Sequence, residues 1–245
     1  MTSRLWLPPL AWLLLLLATM WGMPALEPLM AQLQPGTTQL IYQRESLAQL
    51  LLDHLLLAGG ASLLSVGLGL AAGIAVTRAR GRDFLPLANQ LATIGQTFPP
   101  VAVLALAVPL LGFGNWPTLA ALVFYGLLPV LRNSLVGLQG VPADTLEAAR
   151  GMGMGPIRRL LQVELPLAAP VLLAGIRTTV TLTIATAAIG STMGASTLGA
   201  PVIAGLVNGN NAYVLQGALL IALLALCVDS GFACLQQLIA RHQGV

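Results

Sequence analysis

Lysine is absent from this 245-residue chain, and charge of either sign is scarce. All 11 basic residues are arginines, 8 residues are acidic, and charged residues make up 8% of the chain, against about 25% in an ordinary soluble domain. Without lysine the chain has no phosphate-binding loop of the GxxxxGK[ST] kind and no Schiff-base chemistry. If this system uses ATP, another subunit hydrolyses it.

Metal-binding and redox motifs are missing as well. There is no CxxC or HExxH, and the two histidines, His54 and His242, stand far apart in the sequence. Cys227 and Cys234 would lie about 10.5 Å apart on a helix, too far for a disulfide. We therefore expect no catalytic residue, no metal site and no cofactor. A scattered net charge of +3 argues against binding of nucleic acid.

The chain is instead rich in apolar residues, at 57%, and this composition indicates a membrane protein. A spanning helix needs about 20 mostly apolar residues. The turn-forming sequence LGFGNWP (111–117) divides the longest uncharged run, and the polar, glycine-rich stretch 191–211 predicts a second break. The sequence therefore predicts about six spans, at residues 5–23, 54–77, 85–111, 118–137, 165–190 and 213–239.

The distribution of arginines predicts that the N- and C-termini are both cytoplasmic. In that orientation only Arg44 faces outward, in an outer connection formed by residues 24–49, and Arg177 lies within a span. The other nine arginines are cytoplasmic: Arg4, Arg78, Arg80, Arg82, Arg132, Arg150, Arg158, Arg159 and Arg241.

The first span has two interpretations. Arg4 ahead of a leucine run is also typical of a cleaved signal peptide. The run ends TMWGMPALEP, which has no clean small-x-small cleavage site, and this favours a retained membrane anchor.

Small residues recur every fourth position in the second span, at Ala61, Ser65, Gly69 and Gly73. This pattern predicts a flat face against which another helix packs closely, although alanine and glycine are common throughout the chain. Several prolines interrupt the apolar runs, and broken helices are tolerated in membranes where they line a wet cavity or are buried in protein. A channel or carrier fits these breaks better than an inert anchor.

The loop between the fourth and fifth spans carries the most informative pattern. Asp144 followed by Glu147 resembles a capping box, which predicts a short helix from Thr145 to about Met152. Glycines at 151, 153 and 155 would end it, and Pro156 suits the first turn of a second helix, Ile157 to Val163. An ordinary basic loop that meets anionic lipid is the alternative.

The spacing in this loop matches a known motif. Glu147, Ala148 and Ala149 are followed after three residues by Gly153, and after nine more by Val163, any residue, Leu165 and Pro166. The order resembles the EAA motif (EAA, x3, G, x9, I, x, L, P) of binding-protein-dependent ABC importer permeases, with valine in place of isoleucine.

Other stretches resemble the osmoprotectant group of that family, whose members import glycine betaine, choline and related quaternary ammonium compounds. The similarity covers about residues 50–240. The first span and the outer segment, together with the QTFPP and GASTLG stretches, look most like the Yeh-type permeases of Gram-negative bacteria. The stretches are QTFPPVAVLALAVPLLGFG (96–114), YGLLPVLRNSLVGL (125–138), EAARGMGM (147–154), VELPLAAPVLLAGIRT (163–178) and GASTLG (194–199).

The resemblance implies an all-α polytopic protein with the type I ABC importer permease fold. Residues 1–50 would form an N-terminal anchor helix and a periplasmic segment, and residues 51–240 the transmembrane domain, with its coupling loop at 138–164. Implied partners are an ATP-binding cassette ATPase, a second permease copy or paralogue, a periplasmic solute-binding protein and membrane lipid. The motif residues Glu147, Ala148, Ala149, Gly153, Leu165 and Pro166 would couple the permease to the ATPase.

Two charges lie deep in the predicted bilayer, Arg177 and Asp229. Their depths match, at about 18 and 15 Å from the cytoplasmic ends of spans five and six. We interpret them as a structural ion pair, with separate contacts or a wet cavity as the alternatives. A direct contact between Arg177 and the substrate is disfavoured, because the implied substrates are cations.

Quaternary ammonium groups are recognised by aromatic faces. Phe98, Phe124 and Tyr125 are the candidates for the substrate path, and Phe113, Trp116 and Tyr213 also lie near it. Interface anchoring explains Trp116 and Tyr213 equally well, and specificity is more plausibly determined by the solute-binding protein.

Two other functions compete with the importer subunit. A stand-alone secondary carrier or channel would need more ionisable residues inside the membrane or internal repeats, and no repeat is visible. The third possibility is a membrane enzyme or an assembly subunit. The sequence shows no set of nucleophile, base and metal ligands that would support an enzyme. The sequence leaves open which solute is carried, whether the permease pairs with itself or with another chain, and whether the first span is cleaved.

Overall fold

The computed structural model describes residues 3–94 and 97–242 and shows only helices, turns and irregular segments in that part of the chain. Gly95 and Gln96, the latter the first residue of the QTFPP stretch, lie outside the described residues. The α-helices are α1 (Leu7–Gly22), α2 (Glu27–Leu33), α3 (Leu47–Thr77), α4 (Leu85–Ile94), α5 (Pro100–Leu111), α6 (Asn115–Gln139), α7 (Ala143–Gly151), α8 (Pro156–Arg159), α9 (Leu165–Ala187), α10 (Gly199–Asn208) and α11 (Asn211–His242).

Five helical stretches among the described residues are long and apolar enough to cross a membrane: Leu7–Leu33, Leu47–Thr77, Asn115–Gln139, Pro156–Met193 and Asn211–Ile239. They correspond to five of the six predicted spans. The second begins seven residues earlier than predicted, because Asp53 does not end the helix. Its carboxylate accepts a hydrogen bond from Gln49 one turn away, at 2.9 Å.

The third predicted span, 85–111, is wrong as a single helix. The structure has two short helices there, α4 and α5, which both pack against α6. Pro99 is extended, with φ −64° and ψ 133°, and Pro100 begins α5. A proline forces the preceding residue out of the helical region, so Pro99 stays outside the helix and Pro100 starts α5.

The prediction that residues 191–211 form only a polar break is also wrong. After α9 the chain tightens into a 3-10 turn, Ala188–Met193, and then forms the short helix α10, which packs against α11. The Ser191 and Thr197 hydroxyls bond each other at 2.7 Å, and Ser191 also donates to the carbonyl of Ala195. Because these polar groups satisfy one another, the segment can pack against α11.

The predicted packing face on α3 is confirmed. Ala61, Ser65, Gly69 and Gly73 are all buried, and the face lies against α6. The Ser65 hydroxyl donates to the Val123 carbonyl at 3.1 Å. A Cβ atom at Gly69 would come within 2.9 Å of Val130, so glycine is required for this approach.

The outer connection is more ordered than predicted. Its first part is helical, through Leu33, and the irregular segment 34–46 is tied to the outer ends of α10 and α11. The Gln34 side chain brackets the turn between those helices, donating to Gly209 and accepting from the Asn211 amide. Gln216, fully buried in α11, donates to the Leu40 carbonyl and accepts from the Tyr42 amide. We call residues 34–42 the outer strap.

Candidate functional site

The cytoplasmic loop forms around α7, which carries Glu147, Ala148 and Ala149. Glu147 and Ala148 are exposed, whereas Ala149 is buried. The helix begins at Ala143, two residues before the predicted start, and Pro142 precedes it in extended conformation. The predicted capping box is wrong: no side chain caps this helix, because Asp144 already lies within its first turn.

Gly153 ends the turn that follows α7. Its φ is +77°, a conformation that side-chain-bearing residues rarely adopt, and its amide donates to the Arg150 carbonyl at 2.9 Å. Gly151 and Gly155 do not have positive φ. A Cβ atom at Gly153 would meet nothing within 4 Å, so the backbone conformation, not space inside the chain, selects glycine here.

The sequence predicted a second loop helix separate from the fifth span, but in the structure the two are continuous. Pro156 begins α8 as expected, but α8 ends at Arg159 and continues through one π-helical turn, Leu160–Glu164, into α9. Leu165 and Pro166 are the first residues of α9. Since proline lacks an amide donor, Pro166 favours a local change of helical type just before it.

A charged cluster that the sequence did not reveal lies at this π-turn. Glu164 is only 4% exposed, and its carboxylate accepts a hydrogen bond from Arg78 at 2.5 Å and another from Arg159 at 3.0 Å. The sequence signal is one acidic residue within LLQVELPL, whose other residues are apolar except for Gln162. We call Glu164, Arg78 and Arg159 the inner clamp.

The structure brings Arg177 and Asp229 together. The Arg177 Nε and Nη2 atoms donate to the two carboxylate oxygens of Asp229, each at 2.6 Å. A third donor, Nη1, reaches Gln236 at 3.1 Å. This two-bond geometry joins α9 to α11 and pairs the two charges, whose side chains are 32% and 33% exposed.

The aromatic candidates do not form one cage. Phe98, Phe113 and Trp116 are exposed, and within the described side chains Phe124 contacts Tyr125 edge-on, with ring centroids 6.5 Å apart. Tyr213 instead packs edge-on against Tyr42 of the outer strap, at 5.4 Å. Tyr125 lines a small cavity between α5, α6 and α9, and its buried hydroxyl has no hydrogen-bond partner among the residues that the structure describes.

His54 is a further polar residue whose place the sequence did not predict. It is fully buried in α3. Its Nε2 atom donates to the Ile184 carbonyl at 3.0 Å, and its Nδ1 atom accepts from the Leu198 amide at 3.3 Å. One side chain therefore ties α3 to the outer end of α9 and to the start of α10.

Spanning helices, a helix that folds back at the outer side and an exposed glycine-ended loop define a polytopic permease. The chain belongs to the family of binding-protein-dependent transport system inner membrane components, whose profile matches residues 65–241. It is therefore a multi-pass protein of the bacterial inner membrane and a permease subunit rather than a stand-alone carrier or an enzyme.

Curated relatives extend the similarity over nearly the whole chain. The osmoprotectant import permease protein OsmY of Salmonella typhimurium is 36% identical over 230 residues, which cover 94% of this chain and 92% of that protein. The choline transport system permease protein OpuBB of Bacillus subtilis is 37% identical over 179 residues, which cover 72% of this chain and 81% of that protein.

Solved structures show the same fold. An inward-facing MetNI methionine ABC transporter aligns with a TM-score of 0.69 at 20% identity, covering 79% of this chain and 95% of that chain. An amino acid ABC transporter with histidines aligns with a TM-score of 0.62 at 19% identity, covering 80% and 93%. The predicted type I ABC importer permease fold is confirmed.

Proposed function

We propose that this chain is the membrane permease of an ATP-driven importer for osmoprotectants with a quaternary ammonium group, such as glycine betaine or choline. The observation that carries the proposal is the similarity to OsmY, an osmoprotectant import permease, over 94% of the chain. The similarity to OpuBB, a choline transport permease, supports the same substrate class.

The proposed partners are an ATP-binding cassette ATPase on the inner side, a second permease copy or paralogue, and a periplasmic solute-binding protein outside. Residues 51–240 would form the transmembrane domain and residues 1–50 the anchor and periplasmic segment. The ATPase would receive α7, whose Glu147 and Ala148 side chains are exposed. Gly153 would present its backbone turn to the ATPase beside α7. Leu165 and Pro166 would begin the span that carries the movement into the membrane.

Alternating access would follow from rigid-body movement of this loop. ATP closes the ATPase pair and draws together the α7 helices of two permeases. Since α8 leads through the π-helical turn into α9, displacement of the loop would be passed toward the fifth span and open the path outward, where the binding protein delivers the solute.

Selectivity would reside mainly in the solute-binding protein. Arg177 is satisfied by Asp229 and Gln236, so we assign this pair a structural role and not a substrate contact. Phe98, Phe124 and Tyr125 stay as candidates for the path. Tyr125 has the best geometry of the three, because it lines a cavity next to α5, the second helix of the broken third span.

The test is a pull-down of the tagged chain from its native host in mild detergent, with co-purifying proteins identified by mass spectrometry. Gly153→Asp should lose the ATPase, because φ is +77° there and a side chain would stand in the contact. Gly155→Asp is the matched control: Gly155 precedes α8 in extended conformation, where aspartate is a good helix cap. A well-folded wild-type chain that retains no ATPase would contradict the proposal.

The substrate is tested separately, by uptake into proteoliposomes that contain the purified complex and its binding protein. Radiolabelled glycine betaine and choline should accumulate in the liposomes only when ATP is present on the side of the membrane where the ATPase lies. Accumulation of an amino acid without an ammonium methyl group, with no accumulation of either compound, would overturn the substrate class while leaving the importer intact.

A further inference from the structure

The inner clamp joins the inner end of α3 to the continuous helical stretch of α8, the π-turn and α9 at one buried carboxylate. Arg159 is the last residue of α8, on the loop that we assign to the ATPase, whereas Arg78 directly follows the inner end of α3. Glu164 is the last residue of the π-turn and bonds both. A buried carboxylate between two arginines is costly to disrupt, because loss of one charge leaves the others unpaired.

Arg78 is itself fixed to the end of α3. Its Nε atom donates to the Ile74 carbonyl at 3.4 Å and its Nη2 atom to the Thr77 hydroxyl at 3.2 Å. A force on Arg78 is therefore a force on the inner end of the helix and not only on a flexible side chain.

The outer half of α3 contacts α9 and the start of α10. His54 lies 24 positions before Arg78, about 36 Å away along a helix, and bonds Ile184 and Leu198. The same helix is thus joined to the loop at one end and to α9 and α10 at the other.

The π-turn is the weak point in this connection. Its wider hydrogen-bond pattern is less favourable than that of an α-helix, and such turns are frequent at functional sites. Leu160–Glu164 lies between α8 and α9, so without a second connection a moving loop would bend the chain there. The clamp supplies that second connection, across to α3.

We propose that Glu164 is a positioning residue for energy coupling: by holding Arg159 to Arg78 it makes α3 move with the loop, so that ATP-driven displacement reaches the outer parts of α9 and α10. The proposal rests on the proposed function. Neutralising Glu164 should let the loop follow the ATPase while the outer side stays closed.

The direct test measures movement at both ends of the assembled complex by pulsed electron spin resonance. Cys227 and Cys234 are replaced, and a single spin label is placed at Ala143 on the loop or at Val207 near the outer end of α10, both of which are exposed. Distances between the two permease copies are compared with and without ATP, using an ATPase that binds but does not hydrolyse it.

Wild type should show an ATP-dependent change at both labels. Glu164→Gln should keep the change at Ala143 and lose it at Val207, and Arg159→Gln should do the same if Glu164→Gln assembles poorly. The matched control is Arg158→Gln, since Arg158 is exposed and, within the described part of the chain, bonds only Gln162, one turn further along. Arg78→Gln removes the other partner of Glu164. Its control is Arg80→Gln, because Arg80 is exposed.

A functional readout separates positioning from mere stability. Solute imported per ATP hydrolysed should fall about tenfold in Glu164→Gln, within the usual range of coupling energies, while ATPase activity and assembly stay near wild type. Glu164→Asp should recover part of the ratio, since it keeps the charge.

Three results would overturn the proposal. One is Glu164→Gln and Arg159→Gln complexes that open outside as wild type does; another is a loss of hydrolysis and import in equal proportion, which indicates a structural role only. A wild-type complex that binds ATP and moves at neither label would refute the proposed mechanism and the clamp together. A wild-type complex that moves at both labels but imports neither glycine betaine nor choline would refute the substrate class alone.

Discussion

Gly73 of α3 lies so close to Ser134 of α6 that a Cβ atom at position 73 would come within 2.5 Å of the Ser134 Cβ. Helices in lipid gain little from the hydrophobic effect on associating, and close backbone approach is one of their main sources of stability. The contact between α3 and α6 is therefore a principal support of the bundle.

Gly73→Ala should lower the free energy of unfolding by about 1–3 kcal/mol, because the added methyl group overpacks the contact. Thermal unfolding in detergent measures the change. Gly67→Ala is the control in the same helix, where a Cβ atom meets nothing within 4 Å, and it should raise stability by about 0.5–1 kcal/mol. Equal effects at the two positions would contradict the close approach.

Neutralising either member of the Arg177–Asp229 pair should cost about 1.5–3 kcal/mol, since each variant leaves a charged group without its partner. The double variant Arg177→Gln, Asp229→Asn should be more stable than the sum of the single losses predicts, because no unpaired charge is left behind. A double-mutant cycle of thermal unfolding gives the coupling. Strict additivity, or normal folding and transport in each single variant, would refute a structural pair.

Tyr125→Phe should raise the free energy of unfolding by about 1 kcal/mol, because an unpartnered buried hydroxyl costs more than it contributes. The comparison is Tyr42→Phe, which removes a hydroxyl that donates to Glu45 at 3.3 Å and should be neutral or destabilising. Both are measured by thermal unfolding. Destabilisation by Tyr125→Phe would mean that this hydroxyl has a partner that it holds in the membrane.

Gln216→Leu should release the outer strap, since it removes both hydrogen bonds to Leu40 and Tyr42. Trypsin provides the assay, because the chain has no lysine and Arg44 is the one arginine predicted to face outward. Cleavage after Arg44 in intact spheroplasts should become about tenfold faster, as expected for the loss of roughly 1–2 kcal/mol of local stability.

The control for that experiment is Gln49→Leu, which loses only the bond to Asp53 at the surface of α3. Equal cleavage rates in the two variants would refute the role of Gln216. Cleavage after Arg80 or Arg158 in intact spheroplasts would refute the orientation of the whole chain.

Features set by local pattern could be predicted from the sequence. Apolar length located five spans, four-residue spacing located the packing face of α3, and Gly153 was placed at the turn whose φ is +77°. The Pro99–Pro100 pair was a visible signal of the break in the third span, but the apolar length of residues 85–111 outweighed that signal. Matched depth also suggested the partner of Arg177, because only one acidic residue lies at that level.

Features set by distant contacts could not be predicted. Glu164 and Arg78 are 86 positions apart, and His54 and Leu198 are 144 apart, so no spacing rule relates them. The helix α10 was missed for a different reason. Its flanking serine and threonine hydroxyls bond one another, and that mutual satisfaction, which allows a polar stretch to be buried, becomes visible only when the fold is known.

The contact between Arg177 and Asp229 has an electrical consequence. A single elementary charge that crosses the membrane field gains or loses about 2.3 kcal/mol per 100 mV. Because the two groups are bonded at 2.6 Å through both carboxylate oxygens, α9 and α11 carry them together, and their charges sum to zero. Tilting of these helices moves no net charge through the field, so the membrane potential neither assists nor opposes this part of the cycle.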